Sequence, residues 1–332
     1  MTERRIANRP APAVEPRVVL LPLGSCEQHG PHLPFGTDHL ISERFTEAVL
    51  KRWGDAHGLA SLPGVPYGVS IEHAWRAGTV TIPTRVYVDL VAALCESVAS
   101  SLRPGAIVLV NGHGGNLGAL DSVIREVSRA TGVFTCVVNP LALARVDLPS
   151  PVPDIHAAAA ETAVLLHINP SSVGEVPHGD DSAATAANIR STVTGRDVLW
   201  PWHTSDDEIA RDGVVGSLHG ATTQLGEQIW NSAIDRMGEV LDRIAAQLQR
   251  TDLSGAMLPP GKVPPRRIDA NLNDAVVRRF LRCPLDHGEF DTVLNANVLS
   301  RLRCQSCGTS YEVRDGIPLL VPETAEPEIA AE

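Results

Sequence analysis

Long apolar runs are missing from this 332-residue chain. None approaches the ~18–20 residues needed to cross a bilayer, so no membrane span is expected. Residues 1–16 are polar and punctuated by proline, without the apolar stretch of a secretory signal. A cytoplasmic protein is therefore expected. Lysine and arginine form no run, and the formal net charge is −11, which gives neither nucleic acid nor an acidic membrane an electrostatic footing. Cysteine is scarce. Cys26, Cys95 and Cys136 stand singly, whereas Cys283, Cys304 and Cys307 cluster near the end. That distribution speaks against a disulfide framework and for metal chemistry. Aromatic residues are few, at 4%, but 43% of residues are apolar, ample for a packed core. At roughly 150 residues per domain, the length fits one large domain or two smaller ones. No internal repeat is visible.

Periodicity supplies the elements. Residues 17–23, RVVLLPL, read as a buried strand, followed by a loop rich in Gly, Pro and His. Ile41, Phe45, Ala48 and Val49 then recur at helical spacing, with Thr37 or Asp38 as N-cap. Residues 106–110 form a second buried strand, the loop NGHGGN follows, and Leu117, Leu120, Ile124 and Val127 mark another helix. Strand character resumes at 134–138. Alternating strands and helices predict a three-layer α/β/α fold with a mostly parallel sheet. Ligands in such sheets sit beyond the C-terminal strand ends, where both polar loops fall. A long helix is expected over about 222–250. The expected organisation is an N-terminal tail (1–16), a main domain (17–252), a Pro/Gly linker (253–270), a small β-rich module (271–322) and an acidic tail (323–332).

Three clusters carry chemistry. In the first, Glu27 and His29 are two apart and project from one side of an extended segment; Asp38, downstream, is placed to bridge two metals. Glu and neutral His suit zinc, iron or manganese, although a solvated polar loop would look similar. The second, residues 111–116, has glycines that allow close backbone approach and His113 as its metal-binding side chain. It lacks the Lys-Ser/Thr ending of a phosphate loop. The third holds His156 and Glu161. On a helix, Ala157, Ala158, Val164, Leu165 and Ile168 would share an apolar face with Glu161. A carboxylate buried there needs a metal, a cation or a proton; pairing with a core Arg is the alternative. His156 at the helix start could equally be a capping or surface residue.

Together these segments resemble the creatininase family. GSCEQHGPHLPFGTDH at 24–39 is similar to its metal-binding signature, NGHGGN at 111–116 to its second motif, and HAAAAET at 156–162 to its third, which usually has Gly where Ala158 stands. Residues 72–82 and 213–228 also resemble family segments, and the resemblance spans roughly 17–250. It implies a metal-dependent amide hydrolase with two divalent ions (Zn, Fe or Mn). Glu27, Asp38 and His113 would hold one ion; His29, Asp38 and a further carboxylate would hold the other. Creatininase itself carries Glu two residues after the second-motif histidine, where this chain has Gly115. That departure argues against creatinine as substrate and leaves Glu161 as the best remaining ligand. His156 matches the family's catalytic histidine, suited to protonating a leaving nitrogen. Cys26, beside Glu27, reads as a packing residue. The resemblance also implies a homo-oligomer, a hexamer in characterised members.

The C-terminal module pairs Cys283-Pro284-Leu285-Asp286-His287 with Cys304-Gln305-Ser306-Cys307-Gly308. Two thiolates on a tight turn suit tetrahedral zinc. The module resembles the small zinc-ribbon-like Trm112 family, which usually has a second Cys where Asp286 stands. His287 is the expected substitute, giving one structural zinc on Cys283, His287, Cys304 and Cys307. Such modules often act as adaptors for a protein or peptide partner. The substrates implied for the main domain are small cyclic amides, formamides or the tail of a ribosomal peptide in mycofactocin maturation. The GHGGN form and the attached module favour a peptide. A metal-stabilised binding or scaffold protein is the competing class.

Overall fold

The computed structural model describes residues 4–8, 15–177, 182–195, 197–254, 282–295, 298–314 and 317–318. The chain divides into two compact units, Met1–Pro260 and Gly261–Glu332.

In the large unit, four parallel strands, β1 (Val18–Leu23), β2 (Leu59–Ser61), β3 (Ala106–Asn111) and β4 (Phe134–Val138), lie in the order β2-β1-β3-β4. β1 and β3 are buried along their whole length, as runs of apolar residues without polar alternation demand. Side chains alternate between two cores. Val18, Leu20, Ala106, Val108 and Val110 join one, with Phe45, Leu165 and Ile229. Those side chains come from helices α1 (Thr37–His57), α5 (Ala159–Ile168) and α7 (Thr223–Ser254). Val19, Leu21, Leu23, Ile107 and Leu109 join the other, with Tyr87, Val91, Leu120 and Val123 from α2 (Thr84–Leu102) and α3 (Leu117–Thr131). The result is a parallel sheet covered on both faces. A short α4 (Pro140–Leu143) and α6 (Ala183–Thr192) complete the α-helices among the described residues.

Two boundaries depart from the sequence reading. Gly36 precedes α1, so Thr37 and Asp38 already lie in its first turn instead of capping it. The helix after His156 begins only at Ala159: Ala157 has φ 51° and Ala158 is extended, so neither shares a helical face with Glu161. Residues 4–8 are held on the large unit, with Arg5 bridged to Ser61 and its guanidinium 2.8 Å from Glu43 and 2.5 Å from Glu47.

The small unit is an antiparallel sheet of β5 (Phe290–Asn295), β6 (Val298–Cys304), β7 (Ser310–Arg314) and β8 (Ile317–Pro318). Phe290, Leu302, Tyr311 and Val313 form its core with Cys283 and Cys304. The expected linker lies outside the described residues except for 253 and 254, which end α7; the acidic tail 323–332 lies wholly outside them. Among the described residues, no helix is long and apolar enough to cross a membrane.

Candidate metal centre

The connection after β1 returns to β2, and that after β3 leads to β4 on the other side. Between β1 and β3 the strand order therefore reverses, opening a crevice at their C-terminal ends. Glu27, His29 and Asp38 follow β1, and His113 follows β3. Gly112 makes their meeting possible: a Cβ there would lie 2.2 Å from the Asp38 carbonyl oxygen. Glu161, in the first turn of α5, enters from the third segment.

Glu27 is fully buried, and His29, Asp38, His113, His156 and Glu161 are nearly so. Ligand atoms of Glu27, Asp38 and His113 lie within 4.8 Å of one another, as do those of His29, Asp38 and Glu161; Glu27, His29 and His156 form a further such group. Asp38 belongs to the first two. Its Oδ1 is 3.1 Å from His29 Nε2 and its Oδ2 is 3.2 Å from His113 Nδ1. Each imidazole spends its other nitrogen on a backbone carbonyl. His29 Nδ1 donates to Glu27 O at 3.1 Å, His113 Nε2 to Val69 O at 2.8 Å, and His156 Nε2 to Gln28 O at 2.7 Å. The free nitrogens consequently face the carboxylates, the arrangement by which a protein orients metal-binding imidazoles.

Both Glu27 carboxylate oxygens and Asp38 Oδ2 are buried without a hydrogen bond. Buried carboxylates in that state are costly, and a divalent cation would satisfy them. This donor set fits zinc or manganese. Without a cation, protons carry the compensation. Burial would lower the His29 pKa, but the Asp38 carboxylate beside it wins and pushes it up to about 10. Burial opposes the charge on His113 too, yet Glu27 and Asp38 raise it well above the usual histidine range. Burial pushes Glu161 up to about 8, against the pull of His29. His156 is driven well below its ordinary value by burial and by the neighbouring rings of His73 and His29. Among the described residues Glu161 pairs with no arginine; Oε2 accepts from the Ala157 amide at 2.6 Å and lies 4.0 Å from His29 Nε2.

Two residues given no role in the sequence reading stand in the same place. Gln28 Oε1 accepts from Gly30 N at 2.9 Å, and its Nε2 lies within 3.1 Å of His73, His156, Thr204 and Gly213 O. His73, from the resembling segment 72–82, puts Nε2 3.2 Å from Glu27 Oε1. Only its membership in that segment marked it in the sequence. Gly115 has a steric reason: a Cβ there would lie 2.3 Å from Val69 O and 2.5 Å from both Glu72 Oε1 and His113 Nε2. Cys26 is half-buried, with burial raising its pKa.

In the small unit, the cluster within ligand distance is Cys283, Asp286, Cys304 and Cys307. Asp286, not His287, faces the sulfurs, with Oδ1 3.3 Å from Cys304 Sγ. His287 sits at φ 60° and donates its backbone N–H to Cys283 O at 2.8 Å. Cys283 and Cys307 sulfurs are 3.7 Å apart, close to the edge of about 3.8 Å expected of a tetrahedron with Zn–S near 2.3 Å.

An α/β sheet carrying buried carboxylates and imidazoles at its strand-order reversal defines a metal-dependent hydrolase. The chain belongs to the creatininase family, whose model, described as creatinine amidohydrolase, matches residues 1–241. It is 32% identical over 232 residues to the mycofactocin precursor peptide peptidase of Mycolicibacterium smegmatis, covering 68% of this chain and 85% of that protein. The Mycobacterium tuberculosis H37Rv protein of that name is 31% identical over 251 residues, covering 73% and 89%. Crystal structures of creatinine amidohydrolase and of a creatininase with Mn share the fold. Their TM-scores are 0.57 and 0.56 and their identities 21% and 19%; each match covers 74% of this chain and 98% of theirs.

Proposed function

We propose that the large unit hydrolyses a peptide bond near the end of a ribosomal peptide, using two divalent ions. Glu27, Asp38 and His113 would hold one ion, and His29, Asp38 and Glu161 the other. The observation that carries this reading is the sharing of Asp38 between two buried ligand groups, with carboxylate oxygens left unbonded. Relatives named as mycofactocin precursor peptide peptidases support the peptide as substrate. Zinc or manganese is the proposed metal, since solved creatininases are described with Mn and as Zn–Zn type.

A bound divalent ion lowers the pKa of water from 15.7 to about 7 and polarises a carbonyl oxygen. The chain's own residues handle the protons. With Nε2 donating to Gln28 O, His156 turns its Nδ1 lone pair toward Glu27, 3.6 Å away. Nδ1 takes one proton from the water attacking the amide carbon. As the C–N bond breaks, the leaving nitrogen receives that proton, and a carboxylic acid and an amine result. The side chain that Gly115 lacks keeps the creatinine-type arrangement away from this site. In the small unit we propose one structural zinc on Cys283, Asp286, Cys304 and Cys307.

The test is to strip the full-length protein of metal, restore Zn²⁺ or Mn²⁺, and assay creatinine, formamides and short peptides. Metal-dependent cleavage of peptides, with creatinine left intact, is expected. Full activity without metal, or creatinine hydrolysis alone, would overturn the reading.

A further inference from the structure

His73 is 2% exposed, at the end of the 3₁₀ turn Ile71–His73. Nε2 is 3.2 Å from Glu27 Oε1, and the ring lies 4.0 Å from that of His156. On its other side, Nδ1 is 3.0 Å from Gln28 Nε2 and 3.1 Å from Thr204 Oγ1. A count of hydrogens assigns the tautomer. One hydrogen of the Gln28 amide goes to Gly213 O at 3.0 Å, which can only accept. The other finds no acceptor in His156 Nε2, whose hydrogen is given to Gln28 O. His73 Nδ1 can take it. The reverse tautomer would set an Nδ1–H against the Gln28 amide nitrogen 3.0 Å away, two donors face to face in a buried site. Thr204 fixes the segment as well: its hydroxyl accepts from Trp75 Nε1 at 2.8 Å and donates to Glu72 O at 3.2 Å.

We propose that His73 is a positioning residue: held at Nδ1 by Gln28, it turns Nε2–H toward Glu27 Oε1, the oxygen that also lies 3.2 Å from His113 Nδ1, and so keeps the carboxylate turned into the crevice where a cation would sit. This rests on the two-metal reading above. Outer partners of metal ligands set the orientation and basicity of those ligands, and losing one weakens metal binding by about 10–100-fold.

The experiment titrates metal-stripped, full-length protein with Mn²⁺ and reads free Mn²⁺ by its electron paramagnetic resonance signal. Manganese favours carboxylate and imidazole, so the thiolates of the small unit do not compete for it. His73→Leu keeps much of the ring's volume without a donor; His73→Gln restores an N–H. Circular dichroism and a thermal melt confirm that each variant is folded. Weaker binding by about 10–100-fold in His73→Leu, with most of the loss recovered in His73→Gln, supports the proposal. Wild-type affinity in His73→Leu overturns it. So does outright loss of one Mn²⁺ equivalent that His73→Gln fails to restore, because His73 would then be a ligand itself. Should His73→Leu fail to fold, His73→Gln decides alone: near wild-type affinity supports the proposal, and loss of an equivalent overturns it. Wild-type protein that takes up no Mn²⁺ would instead overturn the two-metal reading, and this proposal with it.

Discussion

Asp38 serves two neighbours at once, His29 at 3.1 Å and His113 at 3.2 Å, while His156 makes neither a hydrogen bond nor an ion pair with it and faces Glu27 instead. Their substitutions should therefore separate. Asp38→Ala should lose bound metal, since both ligand groups share it. His156→Ala should keep most metal while turnover falls by about 10²–10⁴, the range for a general acid/base. Elemental analysis beside steady-state kinetics reads both; equal metal loss would make His156 a ligand, which its place in the group with Glu27 and His29 allows. Protons give a second test. With its pKa at about 10, His29 carries a proton at pH 7 that a cation at Nε2 must displace. Metal binding at pH 7 should then release protons, and affinity should rise with pH until His29 deprotonates near pH 10. Calorimetry in two buffers of different ionisation enthalpy measures the number; no net release would contradict the assignment.

Elements bring these residues together through close backbone approach. β3 ends against the start of α1 because position 112 has no Cβ. Gly112→Ala should destabilise the large unit by about 1–3 kcal/mol, the usual cost of forcing atoms into packed space. That corresponds to a fall of very roughly 2–10 °C in Tm, read by a thermal melt with metal content measured alongside. An unchanged Tm and metal content would mean that β3 and α1 can part without cost. At the third segment, the backbone between His156 and α5 turns through Ala157 at φ 51°, a conformation that costs a non-glycine residue. The turn separates His156 from the helix and lets the Ala157 amide reach Glu161.

At the scale of the molecule, each unit has a core of its own. Truncation after residue 254 should leave metal content and small-amide hydrolysis of the large unit near those of the full chain. If the small unit binds part of a peptide substrate, truncation should lower kcat/KM for a long peptide more than for a small amide. A second contact raises effective concentration only for a ligand that spans both sites. Equal losses on both substrates would assign the small unit a structural role.

Sequence alone determined the architecture and named side chains that the fold gathers at the strand ends. Apolar strands each followed by a Gly/His loop imply a covered parallel sheet with polar loops at its ligand-binding edge, and Glu27, His29, Asp38, His113, His156 and Glu161 were legible as side chains with an affinity for metal. Ligation depends on direction and distance in space, which spacing along a chain does not encode. Only the tertiary structure placed the carboxylate of Asp286, rather than the ring of the adjacent His287, among the sulfurs, where a positive φ at 287 accompanies the turn. Only it brought His73 against Glu27 and surrounded Gln28 with partners from segments 45 to 185 residues distant. Gly115 was visible as a departure from the family pattern. Its physical reason, the Val69 carbonyl and the Glu72 carboxylate filling the space of a side chain, exists only once the chain has folded.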